Sequence, residues 1–206
     1  WVEVNREKAI HNFLEVRRAV GPDRKICAVV KADSYGMGAL ELSKMYLGNG
    51  VDMFAVAVIG EAFELREEII DKDILVLGFT SEEFYDDAIE NNITLTIYDY
   101  NHAVRLNEAA KKLHKKAKIH IKVETGMNRL GFLPIAENAD KIANIAKMEN
   151  IKIEGTFSHQ AKADEKDKTT AHMQADRFIK FMEMLEERNV EIPIKHIANS
   201  ATIIEL

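Results

Sequence analysis

Hydrophobic residues follow two different spacings along the chain, and the two spacings alternate. Seven short runs are apolar at successive positions and rich in valine and isoleucine: residues 26–31, 53–59, 74–78, 94–99, 119–124, 151–158 and 194–198. Strands that are buried on both faces have this composition, which is typical of parallel sheets. The runs therefore predict seven parallel strands, and the alternation over residues 1–5 predicts a further strand at the start of the chain.

Between these runs, apolar residues recur every three or four positions, as on one face of an amphipathic helix. Five such faces lie within residues 9–19, 63–69, 103–113, 142–146 and 178–185. This alternation fits either an open doubly wound sheet or a (β/α)8 barrel, and the spacing alone leaves both open. Seven strands are many for the open sheet and one short of the closed barrel. We therefore predict an α/β fold of the (β/α)8 TIM-barrel type, incomplete, as one domain over residues 1–206.

Polar residues stand just beyond the carboxyl ends of the predicted strands. Lys31, Glu124 and His159 each close or follow an apolar run, and Asn199 and Ser200 follow the last one. In a barrel these ends converge on one face, where the active sites of such folds lie. The strand ends therefore predict one functional site. Residues 60–66, by contrast, are predicted to form the start of a helix whose charged side chains make ion pairs.

Composition excludes several classes of function. The net charge of −6 gives no basic field for nucleic acid, and the basic run at residues 111–116 fits a solvated helix end. The one cysteine, Cys27, lies in an apolar run and is predicted to be a core thiol. No apolar stretch approaches the ~20 residues that span a bilayer. We predict no nucleic acid, membrane or metal partner, and a cytoplasmic location.

Lys31 is the most informative of the strand-end residues. It follows five apolar residues and precedes a turn that contains two glycines, which lets the backbone approach a ligand closely. A partly buried lysine suits Schiff-base chemistry with a carbonyl compound. A lysine that extends from the strand end to water would have the same sequence context, so the residue types alone leave both roles open.

Residues 28–38, Ala-Val-Val-Lys-Ala-Asp-Ser-Tyr-Gly-Met-Gly, resemble the pyridoxal-phosphate attachment motif of the alanine racemase family. The resemblance implies that Lys31 binds pyridoxal 5'-phosphate covalently and then serves as the base on one face of the substrate α-carbon. It also implies that the Tyr35 hydroxyl contacts the cofactor phosphate. Met37 departs from the family pattern, because a histidine is usual at that position.

Residues 121–131 resemble a second segment of the same family. The resemblance implies that Arg129 binds the phenolic oxygen of the cofactor and helps to position the substrate carboxylate. It further implies that Lys122 matches a lysine that is often carbamylated, although an ordinary ion pair with Glu124 is equally compatible with the sequence. Glu124 stands where aspartate or asparagine is more usual.

Two later segments also match. Residues 156–159 resemble the segment that places a histidine beside the pyridine ring, which implies an orienting role for His159, and Gln160 stands where a hydrophobic residue is common. Residues 196–201 resemble a phosphate-binding segment, which implies that Ser200 donates its hydroxyl and that Asn199 supports the loop. Taken alone, Asn199 and Ser200 would fit a turn or a helix cap.

The resemblance implies that the protein is a homodimer and that it interconverts L- and D-alanine reversibly. It further implies that this reaction supplies D-alanine for peptidoglycan. It also implies an eighth strand and a C-terminal β-domain that carries the second catalytic base, a tyrosine. We therefore expect these residues to belong to a longer protein and to be inactive alone. Two alternatives stay open: a racemase for another small amino acid such as serine, and a non-catalytic module that binds pyridoxal phosphate.

Overall fold

The computed structural model describes residues 1, 3–69 and 71–206. Contacts divide the chain into two compact units, Trp1–Leu95 and Thr96–Leu206, which are described separately below. In both units, short parallel strands alternate with helices. No helix among the described residues combines the length and the apolarity needed to cross a bilayer.

The first unit contains a parallel array of strands covered by helices. Its elements are α1 (Arg6–Val20), β1 (Cys27–Val29), α2 (Lys31–Gly36), α3 (Ala39–Leu47), β2 (Met53–Val56), α4 (Ile59–Glu68), β3 (Asp73–Val76), a 3-10 turn (Glu82–Phe84), α5 (Tyr85–Glu90) and the start of β4 (Thr94–Ile97). β1 pairs with β2, β2 with β3, and β3 with β4, all in parallel. Every residue of β2 is buried, so this strand lies at the centre of the unit's core.

The second unit repeats the alternation. Its elements are α6 (Tyr100–Lys112), β5 (Ala117–Lys122), α7 (Ala136–Ala146), β6 (Ile151–Phe157), α8 (Thr169–Glu186), β7 (Ile194–His196) and α9 (Ser200–Glu205). β5 pairs with β6 and β6 pairs with β7, again in parallel, and the β5–β6 register shifts between Ile119 and His120. Gly155 lies opposite that shift, where a Cβ atom would stand 2.5 Å from the His120 ring.

All seven predicted strands are present, but each ends one to three residues earlier than predicted. Ile59, which was assigned to the second strand, instead opens α4. The reason is that Ala57 and Val58 donate their N–H groups to the Glu61 carboxylate, at 2.7 and 3.2 Å, and not to a neighbouring strand. The five predicted helical faces lie on α1, α4, α6, α7 and α8, whereas no apolar face was predicted for α2, α3, α5 or α9.

The prediction of a strand over residues 1–5 is wrong for residues 1 and 3–5. Trp1 and residues 3–5 belong to no strand, and Val2 lies outside the described residues. Asn5 instead caps α1, because its side chain accepts a 3.0 Å hydrogen bond from the Lys8 backbone N–H. Capping satisfies a helix donor that would otherwise lack a partner.

Candidate active site

Lys31 lies at the start of a left-handed turn. The residues that follow it, 32–35, have φ angles between 50° and 59°, although none of them is glycine. L-residues in this conformation place Cβ close to the next carbonyl oxygen, at a cost of about 1–2 kcal/mol each. Four such residues in succession persist only where the surrounding structure holds them, and strain of this kind occurs at functional sites.

Hydrogen bonds within the segment close this turn. The Ser34 N–H donates to the Val30 carbonyl at 2.9 Å, and the Gly38 N–H donates to the Asp33 carbonyl at 3.0 Å. The Asp33 carboxylate also accepts a 2.7 Å bond from the Ala39 N–H, at the start of α3. Both ends of the turn are therefore tied to regular elements.

The turn brings Lys31 and Tyr35 together. The Lys31 Nζ atom lies 5.8 Å from the centre of the Tyr35 ring, a cation–π distance. Tyr35 is 62% exposed, whereas Ser34 points inward and is buried. Two of the predicted site residues are thus neighbours at the carboxyl end of β1.

Lys122 closes β5 and is buried, with 3% of its surface exposed. Its ammonium donates a 2.8 Å hydrogen bond to the Val123 carbonyl and lies 5.4 Å from the centre of the Phe157 ring. Burial lowers the pKa of Lys122 to about 8; the charge of Glu124 opposes the fall and that of Arg129 adds to it. A substantial neutral fraction of this amine therefore exists near pH 8.

Glu124 organises the loop that carries Arg129. Its carboxylate accepts hydrogen bonds from the backbone N–H groups of Gly126, Asn128 and Arg129. Burial raises the pKa of Glu124, but these bonds and the charge of Lys122 outweigh that effect, so the net pKa is lowered. The ionised carboxylate acts as the centre of the loop, and the Arg129 side chain lies exposed at its edge.

Gln174, on α8, was not predicted as a site residue. Its amide is fully buried and donates to the His159 carbonyl at 2.9 Å and to the Thr125 hydroxyl at 3.3 Å, while its oxygen accepts from the Ala161 N–H at 2.9 Å. The Thr125 and Ser158 hydroxyls are 2.7 Å apart. Gln174 therefore ties together the segments that follow β5 and β6.

Replacing Gln174 by leucine is expected to lower the free energy of unfolding by about 3 kcal/mol, because buried polar groups lose their partners. Urea unfolding of the full-length protein measures this loss. Met173→Leu changes an exposed neighbour on the same helix and should shift stability by less than about 0.5 kcal/mol. Equal effects of the two substitutions would contradict a special role for the amide.

Asn199 and Ser200 separate into two roles. The Asn199 side chain caps α9 by accepting the Thr202 N–H at 3.0 Å, and its amide lies 3.4 Å from the Gln160 carbonyl. The Gln160 side chain donates to the Ala171 carbonyl at 3.1 Å and accepts from the Thr202 hydroxyl. The helix-cap alternative is therefore right for Asn199, and Ser200 is exposed at the first position of α9.

A histidine of β5 contacts a histidine of β7. The His120 Nδ1 and His196 Nε2 atoms are 3.1 Å apart, and the Phe157 ring stacks on His196 at a centroid distance of 5.1 Å. Burial, and then the charge of Lys122, lowers the pKa of His196 to about 4. The His196 ring is therefore neutral at pH 7.

This lowered pKa predicts a loss of stability in acid. Between pH 6.5, the ordinary value, and pH 4, the unfolded chain binds a proton on His196 that the folded chain does not bind. Stability should therefore fall with a slope approaching about 1.4 kcal/mol per pH unit from this group. His196→Gln should flatten the slope of urea unfolding free energies between pH 7 and 4.5, whereas the exposed His172→Gln should not. Parallel slopes would rule out this assignment.

The structure thus brings the predicted residues together within each unit. Lys31 and Tyr35 share the turn after β1. Lys122 ends β5, and the segments after β5, β6 and β7 carry Arg129, His159, Asn199 and Ser200. Among the described residues, no group of three or more His, Cys, Asp and Glu side chains could hold a metal ion. Cys27 is only half-buried, so it is less enclosed than the predicted core thiol, and desolvation raises the pKa of its thiol to about 12, which leaves it protonated.

Comparison with known proteins gives a consistent assignment. The family model described as "Alanine racemase, N-terminal domain" matches residues 4–206. An alanine racemase of Clostridium tetani is 46% identical over 206 residues, covering 100% of this chain and 53% of the relative. One from Methanococcus maripaludis is 46% identical over 205 residues, covering 100% and 55%. The chain spans about half the length of the curated relatives it matches.

Solved structures show the same similarity. Alanine racemase of Clostridium difficile 630 in complex with cycloserine superimposes with a TM-score of 0.92 at 41% identity, covering 95% of this chain and 54% of that one. Alanine racemase from Bacillus anthracis with bound L-Ala-P gives a TM-score of 0.92 at 29% identity, covering 100% and 53%. The likeness confirms an α/β fold of the (β/α)8 TIM-barrel type, incomplete, with seven strands. The chain belongs to the alanine racemase N-terminal domain family.

Proposed function

We propose that residues 1–206 form the pyridoxal-phosphate-binding domain of an enzyme that interconverts L- and D-alanine. The observation that carries this proposal is the position of Lys31, two residues after the last residue of β1 and at the start of a strained left-handed turn. Relatives that are 40–46% identical over the whole chain bear the name alanine racemase, which supports the same reaction here.

The chemistry of the residues fits the cofactor. Pyridoxal 5'-phosphate presents an aldehyde, an acidic phenol, a pyridine ring and a phosphate. A primary amine on Lys31 suits the aldehyde, the guanidinium of Arg129 suits the phenolic oxygen, and the hydroxyls of Tyr35 and Ser200 suit the phosphate. Arg129, Tyr35 and Ser200 are exposed in the structure, so these groups are accessible to a ligand.

In the proposed mechanism, the cofactor supplies an electron sink that makes the substrate α-proton acidic. Lys31 would hold the cofactor through its amine, and its Nζ atom would accept the α-proton on one face of the substrate. Arg129 holds the phenolic oxygen and positions the substrate carboxylate. His159 orients the ring, and Asn199 supports Ser200 by capping α9.

The remaining parts of the proposal come from the family resemblance. The base on the second face is a tyrosine of the C-terminal β-domain, contributed within a homodimer, and the D-alanine serves cell-wall synthesis in the cytoplasm. Residues 1–206 alone would then bind the cofactor without turnover. The ligand L-Ala-P in the structure of the Bacillus anthracis relative supports a small substrate such as alanine.

We further propose that Lys122 is carbamylated. The Lys122 ammonium first loses one proton to solvent. The neutral amine then attacks carbon dioxide, an N–C bond forms, and a second proton leaves, so that a cation becomes an anion. The lowered pKa of Lys122 supports this step. With 13C-bicarbonate, the full-length protein should show a carbamate resonance that Lys122→Arg removes. Lys118→Arg, on the same strand, should retain the resonance. A resonance unchanged in Lys122→Arg would contradict the assignment.

The attachment of the cofactor is tested by reduction. The full-length protein is treated with pyridoxal 5'-phosphate and borohydride, and the modified lysine is identified by mass spectrometry. Label concentrated at Lys31 supports the proposal. Label spread over exposed lysines such as Lys180, with none at Lys31, overturns it. Stable label at Lys31 without racemisation of either alanine or serine would favour a binding module.

A further inference from the structure

Glu61 joins two backbone segments that flank the Lys31 position. One carboxylate oxygen, Oε1, accepts a 2.6 Å hydrogen bond from the Ala32 N–H. The other oxygen, Oε2, accepts from the Ala57 and Val58 N–H groups after β2. The sequence suggested only an ion-pairing charge at a helix start, whereas the structure gives this carboxylate three backbone donors.

The bond to Ala32 matters because of the residue that precedes it. Val30 is fixed by a 2.8 Å hydrogen bond from its N–H to the Ala55 carbonyl, which continues the β1–β2 ladder. Ala32 is fixed by Glu61. The backbone of Lys31 is therefore held on both sides, by a strand before it and by a carboxylate after it.

The bond also acts where the strain begins. Ala32 is the first of the four left-handed residues, with φ 50° and ψ 52°. A hydrogen bond to an ionised acceptor is roughly twice as strong as a neutral one, so it can offset part of the cost of this conformation. Without this hydrogen bond the turn can relax, and the Lys31 side chain can then point in other directions.

We propose that Glu61 is a positioning residue that holds Lys31 in place for attachment of the cofactor. This role rests on the proposed function. It is distinct from simple capping of α4, which needs only the bond from Val58 to Oε2. The bond from Ala32 to Oε1 serves the turn and not the helix.

The test compares Glu61→Gln with Glu64→Gln in the full-length protein. Glutamine offers one acceptor oxygen, and its NH2 group opposes an N–H donor, so one of the two segments must lose its bond. Glu64 is an exposed acid on the same helix and controls for the loss of charge. Amide hydrogen exchange without cofactor should become about tenfold faster within residues 32–39 in Glu61→Gln only.

The second measurement is the rate of borohydride-trapped labelling of Lys31 by pyridoxal 5'-phosphate. Glu61→Gln should lower it about tenfold, whereas Glu64→Gln should leave it unchanged. Ala32→Gly, added to Glu61→Gln, should restore part of the rate, because glycine adopts positive φ without steric cost. A helix cap alone would give no such rescue.

The outcomes separate the two proposals. Unchanged exchange over residues 32–39 in Glu61→Gln overturns the positioning role, and so does faster exchange with an unchanged labelling rate at Lys31. Either result leaves attachment at Lys31 standing. Absence of label at Lys31 in the unsubstituted protein overturns the attachment and the positioning role together. Faster exchange, slower labelling and rescue by glycine support the inference.

Discussion

Replacing Lys31 by alanine in the full-length protein is expected to abolish covalent cofactor binding and to lower alanine racemisation by about 10⁴-fold. In the proposed mechanism, the substitution removes both the amine that would bind the aldehyde and the base on one face of the α-carbon, and general bases contribute about 10²–10⁴-fold. The absorbance of lysine-linked cofactor and the rate of racemisation measure the two effects.

The control is Lys25→Ala, which removes an exposed lysine just before β1. It should retain the cofactor absorbance and the activity, because Lys25 does not follow a strand end. A Lys31→Ala protein that racemises alanine within tenfold of the unsubstituted rate would show that another lysine binds the cofactor. That result would remove the basis of the proposed function.

Replacing Gly131 by alanine is expected to lower the free energy of unfolding by about 3 kcal/mol. Gly131 has a φ of 137°, which L-residues rarely adopt, and a Cβ atom there would stand 2.6 Å from the Glu124 backbone nitrogen. Backbone strain and overpacking each cost about 1–3 kcal/mol. The Glu124 carboxylate holds the loop that carries Arg129 through a hydrogen bond from the Arg129 backbone N–H. Displacement of Glu124 should therefore lower the affinity for the cofactor as well.

Gly60→Ala is the matched control for this substitution. Gly60 lies within α4, where a Cβ atom would meet nothing within 4 Å, so alanine should be neutral or stabilise the protein by about 0.5–1 kcal/mol. Thermal or urea unfolding distinguishes the two variants. A Gly131→Ala protein as stable as Gly60→Ala would show that the loop is not packed as described.

The strands could be predicted from the sequence because a strand that is buried on both faces is apolar at successive positions. Four consecutive apolar residues at 53–56 form the buried strand β2. The ends were less predictable, because the chain leaves the sheet where a side chain three or four residues further on accepts its N–H groups. Glu61 does so at Ala57 and Val58, and valine is not among the residues that usually mark the N-cap of a helix.

The left-handed turn could not be predicted from local preference. Residues 32–35 are alanine, aspartate, serine and tyrosine, for which positive φ is costly or uncommon. The turn is held by hydrogen bonds within the segment and by the tertiary bond from Ala32 to Glu61. The role of Gln174 could have been suspected from the sequence. A glutamine at a buried position of α8, in line with Ala171 and Phe178, needs polar partners, although the sequence does not say which.

The handedness of the turn after Lys31 has a consequence for synthetic chemistry. A left-handed turn of L-residues is the mirror image of an ordinary helical turn, so it is the conformation that D-residues adopt without steric penalty. A chain prepared by ligation with D-alanine at position 32 would therefore keep its backbone path at lower cost. The main chain beside Lys31, the lysine that we propose binds the cofactor, thus already has a backbone conformation that D-residues favour.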